Sequence, residues 1–283
     1  MTVLVLGATG KTGRPVVDAL LARGAKVRAA SRNPAPARPG VQPVRFDWAD
    51  RGTWQQALRD VAGLYIVGPY AEPDAAVLVR ELLAAAPEVR RVVLLSVLGS
   101  GSLPETVPMA GWEADVRASG KQWTILRPNW FQQNFGEGFA PQLSASATLA
   151  LPAAQAALAF VDTRDIAEVA ALALTAEGHA GATYVLTGPE SLSHTAALRI
   201  LGEAAGRELG YHALSPQEFA GHLRAAGADE AAITWQLGLF ELIRAGVNAP
   251  VTDTVERLTG HPARSLAAYA AEHADAWRAP QPV

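Results

Sequence analysis

The stretch of residues 2–21, TVLVLGATGKTGRPVVDALL, constrains the fold of this chain more than any other part of the sequence. The apolar run at residues 3–6 is typical of a parallel strand that is covered on both faces. Apolar residues then recur at helical spacing between Val16 and Leu21. The glycines between these two patterns are Gly7, Gly10 and Gly13. They are therefore predicted to lie on a tight turn that joins a buried strand to a helix.

A glycine turn at the start of a helix is suited to bind a pyrophosphate. Glycines let the backbone approach the anion closely, and the helix N-terminus offers free N–H groups and a positive dipole end. The spacing G-x-x-G-x-x-G differs from the commoner G-x-G-x-x-G, so the prediction depends on the strand-to-helix context. The predicted cofactor-binding residues of the turn are Gly7, Thr9, Gly10, Lys11, Thr12 and Gly13. One alternative is a triphosphate P-loop, which needs a glycine where this chain has Val5, and another is a structural turn that binds no ligand.

The end of the second predicted strand, at residues 26–31, bears on the choice of cofactor. NAD sites usually carry an acidic residue about 20 residues after the glycines, whereas an arginine there accommodates the 2′-phosphate of NADP. This chain has Ser31 and Arg32 at that position, and its next carboxylate is Asp47. The sequence therefore favours NADP, with Arg32 near the 2′-phosphate. The alternative is that Arg32 is a solvated charge at a strand end.

Strand and helix patterns alternate through the first half of the chain. Further strands are predicted at residues 41–46, 64–68, 91–96 and 123–126, and helices at residues 74–86, within 104–121, and from an N-cap at Thr53. This alternation predicts an α/β fold of the Rossmann type with a doubly wound parallel sheet. Because such sheets bind ligands beyond the carboxyl ends of their strands, the loops at residues 68–70, 96–99 and 127–134 are expected to line the site.

The second half of the chain is predicted to be mostly helical. Residues 142–160 show little periodicity and are interpreted as a crossing into a second lobe. A helix capped by Asp162 or Thr163 is predicted at residues 162–174, and a returning strand at residues 183–187. Helical patterns follow at residues 193–206, 215–226, 230–245 and 262–277. The predicted domains are an NADP-binding Rossmann domain at residues 1–150 and a smaller lobe at residues 151–283 that covers the substrate, with interleaving of this lobe and the sheet left open.

Composition excludes several classes of protein. The 283 residues are 49% hydrophobic and 18% charged, as expected of a globular protein, and no apolar run approaches the ~18 residues that span a bilayer. With a strand predicted from residue 2, we expect no signal peptide, and the expected location is the cytoplasm. A net charge of −3 argues against nucleic acid, and the lack of cysteine and of paired histidines argues against a metal. The expected partner is a small-molecule substrate, bound by a monomer or a homodimer.

Segments along nearly the whole chain carry a family resemblance. They include GATGKTG at residues 7–13, FDWAD at 46–50, LYIVGP at 64–69, RVVLLS at 91–96, WTILRPNWFQQNF at 123–135, FVDTRDIAEVA at 160–170 and LTGPESLSH at 186–194. In this order they resemble the NmrA-like atypical short-chain dehydrogenases. The closing LTGHPARSLAAYAAEHADAW at residues 258–277 resembles the branch that contains the ergot alkaloid festuclavine and agroclavine dehydrogenases.

The resemblance implies an NADP-binding fold with Asp47 and Trp48 beside the adenine. Gly68, Pro69 and Ser96 lie at the ends of predicted strands and are therefore also predicted to bind the cofactor. The chain departs from the family pattern in two ways. None of its five tyrosines is followed four residues later by lysine, so the proton-donating pair of ordinary short-chain dehydrogenases is missing. Where many NmrA-like reductases carry Lys or His ahead of the Ser-Gly helix, this chain has Met109, Ala110, Gly111 and Trp112.

The leading functional hypothesis is an NADPH-dependent reductase that delivers hydride to an activated, hydrophobic acceptor, such as an imine or iminium ion, a quinone or an enone, in secondary metabolism as the branch resemblance implies. Two alternatives remain open: a non-catalytic NADP(H)-sensing regulator and a non-redox cyclase on the same scaffold. The candidate catalytic residues are Tyr70, Ser96 and Asn134, which follow predicted strands. The candidate substrate-binding residues are Tyr70, Met109, Trp112, Trp130, Phe131 and Phe135.

Overall fold

The computed structural model describes residues 1–70, 72 and 74–278, and its chain divides into two compact units. Unit 1 comprises Met1–Pro128, Thr163–Leu186 and Thr254–His261, and unit 2 comprises Asn129–Asp162, Thr187–Asp253 and Pro262–Val283. The chain therefore alternates between the units instead of crossing once near residue 150, because residues 163–186 return to the sheet of unit 1. Interleaving of this kind was left open by the sequence.

The described residues of unit 1 form a seven-stranded parallel sheet. Its strands are β1 (Thr2–Leu6), β2 (Lys26–Ser31), β3 (Val41–Arg45), β4 (Gly63–Val67), β5 (Arg91–Leu95), β6 (Gln122–Pro128) and β9 (Ala182–Leu186). Their order is β3-β2-β1-β4-β5-β6-β9, so the order reverses between β1 and β4. Leu4 of β1 is paired with Arg28 of β2 on one side and with Leu64 of β4 on the other. The predicted Rossmann-type, doubly wound sheet is confirmed.

Helices follow the strands of unit 1 and cover the sheet. They are α1 (Gly13–Ala22), α2 (Trp54–Leu58), α3 (Ala75–Ala84), α4 (Pro108–Ala118), α6 (Thr163–Thr175) and α10 (Thr254–Thr259). Helix α1 packs against α6, and α3 packs against α4. Right-handed crossovers run in opposite directions across the sheet from β1 to β2 and from β4 to β5, so α1 and α3 lie on opposite faces. Helix α6 shares the face of α1, against which it packs. Strands β1, β4 and β5 are accordingly buried almost throughout.

Helix α2 begins directly after Thr53, which occupies its N-cap position as predicted but makes no capping hydrogen bond with its side chain. Asp50 accepts the Gly52 N–H over 3.1 Å and caps a short 3₁₀ turn, Arg51–Thr53, which leads into α2. The Thr53 hydroxyl instead donates to the Asp50 carbonyl over 2.7 Å. The capping hydrogen bond to a side chain is made one turn earlier, where Asp50 caps the 3₁₀ turn that precedes α2.

Unit 2 has its own core and is less purely helical than predicted. Its helices are α5 (Ala140–Ser146), α7 (His194–Ala205), α8 (Pro216–Ala225), α9 (Glu230–Arg244) and α11 (Leu266–His273). Its strands are β7 (Thr148–Leu151), β8 (Ala157–Leu158), β10 (Leu192–Ser193) and β11 (Gly210–Ala213), which pair as β7 with β11 and β8 with β10. These strands are too short to show a sequence period, and the pattern predicted at residues 262–277 starts only at Leu266, behind the cap Ser265.

The core of unit 2 forms around Phe135, Phe160 and Trp277. The Trp277 indole N–H donates to the Phe135 carbonyl over 2.8 Å, which links the short 3₁₀ turn Ala274–Trp277 to the segment after β6. Among the residues that the structure describes, no helix is both long enough and apolar enough to cross a bilayer.

Candidate active site

The turn after β1 is folded tightly around the carbonyl of Gly7. The Gly10 N–H donates to this oxygen over 2.9 Å, and Gly7 has a φ of +63°. A Cβ on Gly13 would lie 2.1 Å from the Gly7 oxygen, so only glycine fits where α1 begins. Gly7, Thr9 and Gly10 are exposed. Their backbone therefore faces solvent at the reversal of strand order, where doubly wound sheets bind dinucleotides.

The residues of this turn fit a pyrophosphate. A Cβ on Gly10 would meet only the Gly7 carbonyl oxygen, at 3.2 Å, and the space beyond it is open. Thr12 is the N-cap residue of α1 and follows the exposed Gly10 by two residues, so the N-terminus of the helix adjoins the same space. Lys11 and Thr12 would hold the phosphates through their N–H groups and the positive end of the α1 dipole, while Gly10 leaves room for the anion to approach the backbone.

The ends of β2 and β3 present the residues predicted for the adenosine half. Arg32 is exposed directly after β2, and no ion pair of its side chain occurs within the described part of the chain. The Ser31 hydroxyl is buried and has no hydrogen-bond partner among the same residues. After β3, the Asp47 carboxylate accepts the Ala49 N–H over 3.2 Å. Trp48 is partly buried in a cluster with the rings of Phe46 and Trp54.

Gly68 and Tyr70 follow β4, next to the glycine turn. A Cβ on Gly7 would be 3.6 Å from Val67, so the ends of β1 and β4 are neighbours. The Trp112 indole lies over the Gly68 backbone and packs edge to face against Tyr70, with ring centroids 4.9 Å apart. Tyr70 keeps 46% of its surface exposed, yet the protein atoms around its hydroxyl raise its pKa above the ordinary value. The phenol is therefore protonated at neutral pH.

A buried carboxylate lies beyond the ends of β5 and β6. Oε1 of Glu113 accepts hydrogen bonds from Ser96 Oγ (2.6 Å), Ser100 Oγ (2.5 Å) and Arg127 Nε (2.9 Å). Oε2 accepts from Arg127 Nη2 (2.5 Å) and Arg117 Nη2 (2.7 Å). We refer to these five residues as the Glu113 network.

The Glu113 network holds its carboxyl group ionised. Burial by itself would raise the pKa of Glu113, because the side chain is only 1% exposed. Hydrogen bonds from Arg127, Ser100 and Ser96 outweigh burial and bring that pKa to about 2. Glu113 is thus an acceptor, not a proton donor, near neutral pH.

The network changes the interpretation of Ser96. The Ser96 hydroxyl is 1% exposed and is committed to Glu113 and Ser100, so we assign it to the network instead of to the reacting atoms. Sequence reasoning missed Glu113 itself. The one local signal was its i, i+4 spacing to Arg117, which is common on solvated helix faces and does not indicate a buried site.

The predicted aromatic wall is only partly available to a ligand. Met109, Trp112 and Phe135 are at most 1% exposed and belong to the cores of their units. The Trp112 N–H donates to the Ala75 carbonyl over 2.6 Å. This hydrogen bond holds the ring in its packing against Gly68 and Tyr70. Trp130 and Phe131 are partly exposed. Met109, Trp112 and Phe135 therefore serve as packing residues in this structure, and their contact with a substrate stays a prediction.

Asn134 begins a single π-helical turn, Asn134–Gly138, in which its carbonyl accepts the Phe139 N–H over 2.8 Å. Such turns are frequent at functional sites. The turn is possible because Gly136 has no side chain: a Cβ there would lie 2.3 Å from the Tyr269 hydroxyl. Asn134 itself is partly exposed.

Among the described residues, no cluster of His, Cys, Asp and Glu could hold a metal ion.

Comparison with known proteins identifies relatives along the whole chain. Residues 7–177 match the NAD(P)H-binding family. The NAD(P)H azoreductase of Xenophilus azovorans is 32% identical over 286 residues, which cover 98% of this chain and 99% of the relative. The agroclavine dehydrogenase of Claviceps fusiformis is 29% identical over 290 residues, which cover 98% and 99%. The predicted resemblance to the clavine dehydrogenases is confirmed.

Solved structures show the same fold. The NADPH complex of the quinone oxidoreductase QOR2 from Escherichia coli has a TM-score of 0.82 at 24% identity, covering 96% of this chain and 99% of that one. The NADP complex of NmrA, a negative transcriptional regulator, has a TM-score of 0.72 at 17% identity, covering 96% and 94%. At these identities the likeness is one of fold.

Proposed function

Because the chain belongs to the NAD(P)H-binding family, we propose that it is an NADPH-dependent reductase that transfers hydride to an activated, hydrophobic small molecule. The proposed acceptors are imines or iminium ions, quinones and enones. Relatives named as an azoreductase and a clavine dehydrogenase support a conjugated, electron-poor acceptor. When bound, the reduced nicotinamide supplies the hydride.

The observation that carries this proposal is the state of Glu113. The carboxylate is ionised and engages the Ser96 hydroxyl, so neither group is free to protonate an alkoxide. General acid catalysis typically contributes ~10² to 10⁴ in rate, and simple ketones need it. An iminium ion becomes a neutral amine when hydride arrives, and a quinone gives a stabilised phenolate that water protonates. Both acceptors suit a site without a dedicated acid.

The preference for NADPH over NADH rests on the end of β2. Arg32 is exposed there, and the Ser31 hydroxyl beside it lacks a partner among the described residues. A guanidinium forms charge-assisted, often bidentate hydrogen bonds with a phosphate. We therefore assign the 2′-phosphate to Arg32, with Ser31 as a further donor after rotation of its side chain.

The remaining predicted contacts are assigned by exposure. Tyr70 presents a protonated phenol after β4, and Asn134 presents an amide on the π turn. Tyr70 would orient the acceptor through a hydrogen bond. Asn134, Trp130 and Phe131 stay predicted acceptor contacts from their place in the sequence after β6. Because Tyr70 is not an obligatory acid in this scheme, Tyr70→Phe should lower turnover by no more than about 100-fold.

A second candidate, a cofactor-sensing regulator, has one observation in its favour. The hydroxyl of Ser96, the residue directly after β5, is engaged by Glu113 and Ser100 within the protein. A protein that only senses its cofactor would bind NADPH without oxidising it in the presence of any acceptor. Binding a protein partner would then be its output.

The experiment that separates the two functions is NADPH oxidation, followed by absorbance, against a panel of quinones, iminium ions, enones and simple ketones. The reductase proposal predicts turnover of the first three classes, with ketones slower by at least about 100-fold. Tight NADPH binding without turnover of any class would favour the sensor. Ketones that react as fast as iminium ions would overturn the acid-free scheme.

A further inference from the structure

We propose that Glu113 is a positioning residue that fixes the ends of β5 and β6 for the nicotinamide half of the cofactor. This inference rests on the proposed function, because it concerns the same site. In doubly wound sheets each half binds one mononucleotide, and the half formed here by β4, β5 and β6 is the one opposite the adenosine half. The loops after β5 and β6 therefore determine where a nicotinamide ring can rest.

The Glu113 carboxylate connects both loops to one helix. Ser96 directly follows β5, Arg127 lies at the end of β6, and Glu113 belongs to α4. Its two oxygens accept three hydrogen bonds from these two partners alone. Backbone bonds continue the connection past the strands, because the Leu98 N–H donates to the Pro128 carbonyl over 3.0 Å.

The Arg127 guanidinium also confines the turn after β5. Ser100–Ser102 forms a short 3₁₀ turn, and a Cβ on Gly101 would lie 2.5 Å from Arg127 Nη1. The Ser100 hydroxyl donates to Glu113, so the turn is held from both sides. Removing the negative charge would leave a largely buried guanidinium, 20% exposed, without its counter-charge. The loops would then lose their common anchor.

The same observations separate a positioning role from proton transfer. Glu113 touches neither solvent nor any open face of the glycine turn, and its charge is compensated by Arg127 and Arg117. It acts on the cofactor only through the residues that it holds. Misplacing reacting groups by about 1 Å can cost roughly 100-fold in rate, which sets the expected size of the effect.

The test compares Glu113→Gln with Asp115→Asn in the full chain. Asp115 is a matched control, because it is also a carboxylate on α4 with little exposure, yet it pairs with Arg80 of α3 instead of with the strand ends. Three quantities are measured: the dissociation constant of NADPH from protein fluorescence, the emission of the bound dihydronicotinamide, and kcat and KM with a naphthoquinone.

For Glu113→Gln we expect an unchanged NADPH dissociation constant, because the phosphate and adenosine contacts are intact, and loss of the enhanced emission of an immobilised nicotinamide. We expect kcat to fall by about 100-fold with KM little changed. Asp115→Asn should retain the wild-type emission and kcat. A folded Glu113→Gln protein with wild-type emission and kcat would overturn the inference, even if its melting temperature were lower.

Should Glu113→Gln fail to fold, Ser100→Ala replaces it, since that variant removes one hydrogen bond and leaves the ion pair with Arg127 intact. A partial loss of emission and of kcat in Ser100→Ala supports the inference, and wild-type values of both overturn it. If the wild-type protein binds NADPH with enhanced emission but reduces no quinone, the proposed function fails. The comparison of emission then still decides the role of Glu113.

Discussion

The indole of Trp112 lies so close over Gly68 that a Cβ on this glycine would be 2.1 Å from Cζ3 of the ring. The pair fixes the chain directly after β4, between the glycine turn and Tyr70. We expect Gly68→Ala to destabilise the protein by about 1–3 kcal/mol through overpacking, and to lower turnover through Tyr70. Urea denaturation and NADPH oxidation measure the two effects.

The control for Gly68 is Gly238→Ala on α9, because nothing lies within 4 Å of the added carbon there. This change should stabilise the protein by about 0.5–1 kcal/mol through helix propensity. A Gly68→Ala protein as stable and as active as the wild type would mean that the contact with Trp112 relaxes at no cost.

The glycine turn predicts opposite outcomes for two of its members. Gly10→Val should fold but lose NADPH binding, because its side chain projects into the open space assigned to the pyrophosphate. Gly13→Ala should lower the free energy of unfolding by up to about 5 kcal/mol, because the added carbon meets the Gly7 backbone oxygen at 2.1 Å. Circular dichroism with thermal melting reports the fold, and fluorescence titration reports binding. Normal NADPH affinity in folded Gly10→Val would make the turn purely structural.

Arg32 should determine the choice between the two nicotinamide cofactors. A hydrogen bond to a charged group contributes about 1.5–3 kcal/mol, so NADPH should bind roughly 10-fold to 100-fold more tightly than NADH. Arg32→Glu should abolish this preference, whereas Arg199→Glu, the same charge change on an exposed residue of α7, should preserve it. Equal dissociation constants for the two cofactors in the wild-type protein would refute the assignment of Arg32.

His194 should make stability depend on pH. Its ring is stacked on Tyr211 in the core of unit 2, and neither ring nitrogen has a hydrogen-bond partner among the described residues. Burial lowers the pKa of His194 from 6.5 to about 4. Between these values the unfolded chain binds a proton that the folded protein does not, so stability is complete above about pH 6.5 and declines as the pH falls.

The size of this decline should be about 3 kcal/mol by about pH 4. His194→Phe keeps an aromatic ring and removes the titrating group. As the pH falls from about 6.5 to about 4, the variant should therefore lose less unfolding free energy than the wild type. Denaturant titrations at a series of pH values measure it. A difference that is independent of pH would show that His194 is protonated in the folded protein as readily as in the unfolded chain.

The fold was readable from the sequence because its signals are local. The apolar run of β1, the glycines after it and the start of α6 at Thr163 each depend on a few neighbouring residues, and the structure confirms all three elements. The short strands of unit 2 were missed since β8 and β10 contain two residues each, which is below any detectable period.

The site was less predictable because its contacts join distant parts of the chain. Ser96 and Arg127 both follow or end strands, but nothing in the sequence indicates that one carboxylate on α4 binds them both. The role of the apolar residues was also hard to predict, because the sequence does not distinguish a ring that lines a pocket from one that is buried in the core. Phe135 follows β6 as a substrate wall would, and Trp112 lies on α4, but only three-dimensional packing reveals that both rings are buried.

The decisive measurement follows the hydride itself. NADPH deuterated at its transferable position is mixed with the protein and one equivalent of a cyclic iminium ion in a single turnover, and the amine product is analysed by mass spectrometry. Hydride transfer without a protein acid predicts one deuterium on the former iminium carbon and a stoichiometric loss of NADPH absorbance. Unlabelled amine, or intact NADPH after prolonged incubation in a protein that binds it, would show that this chain is not a reductase of such acceptors.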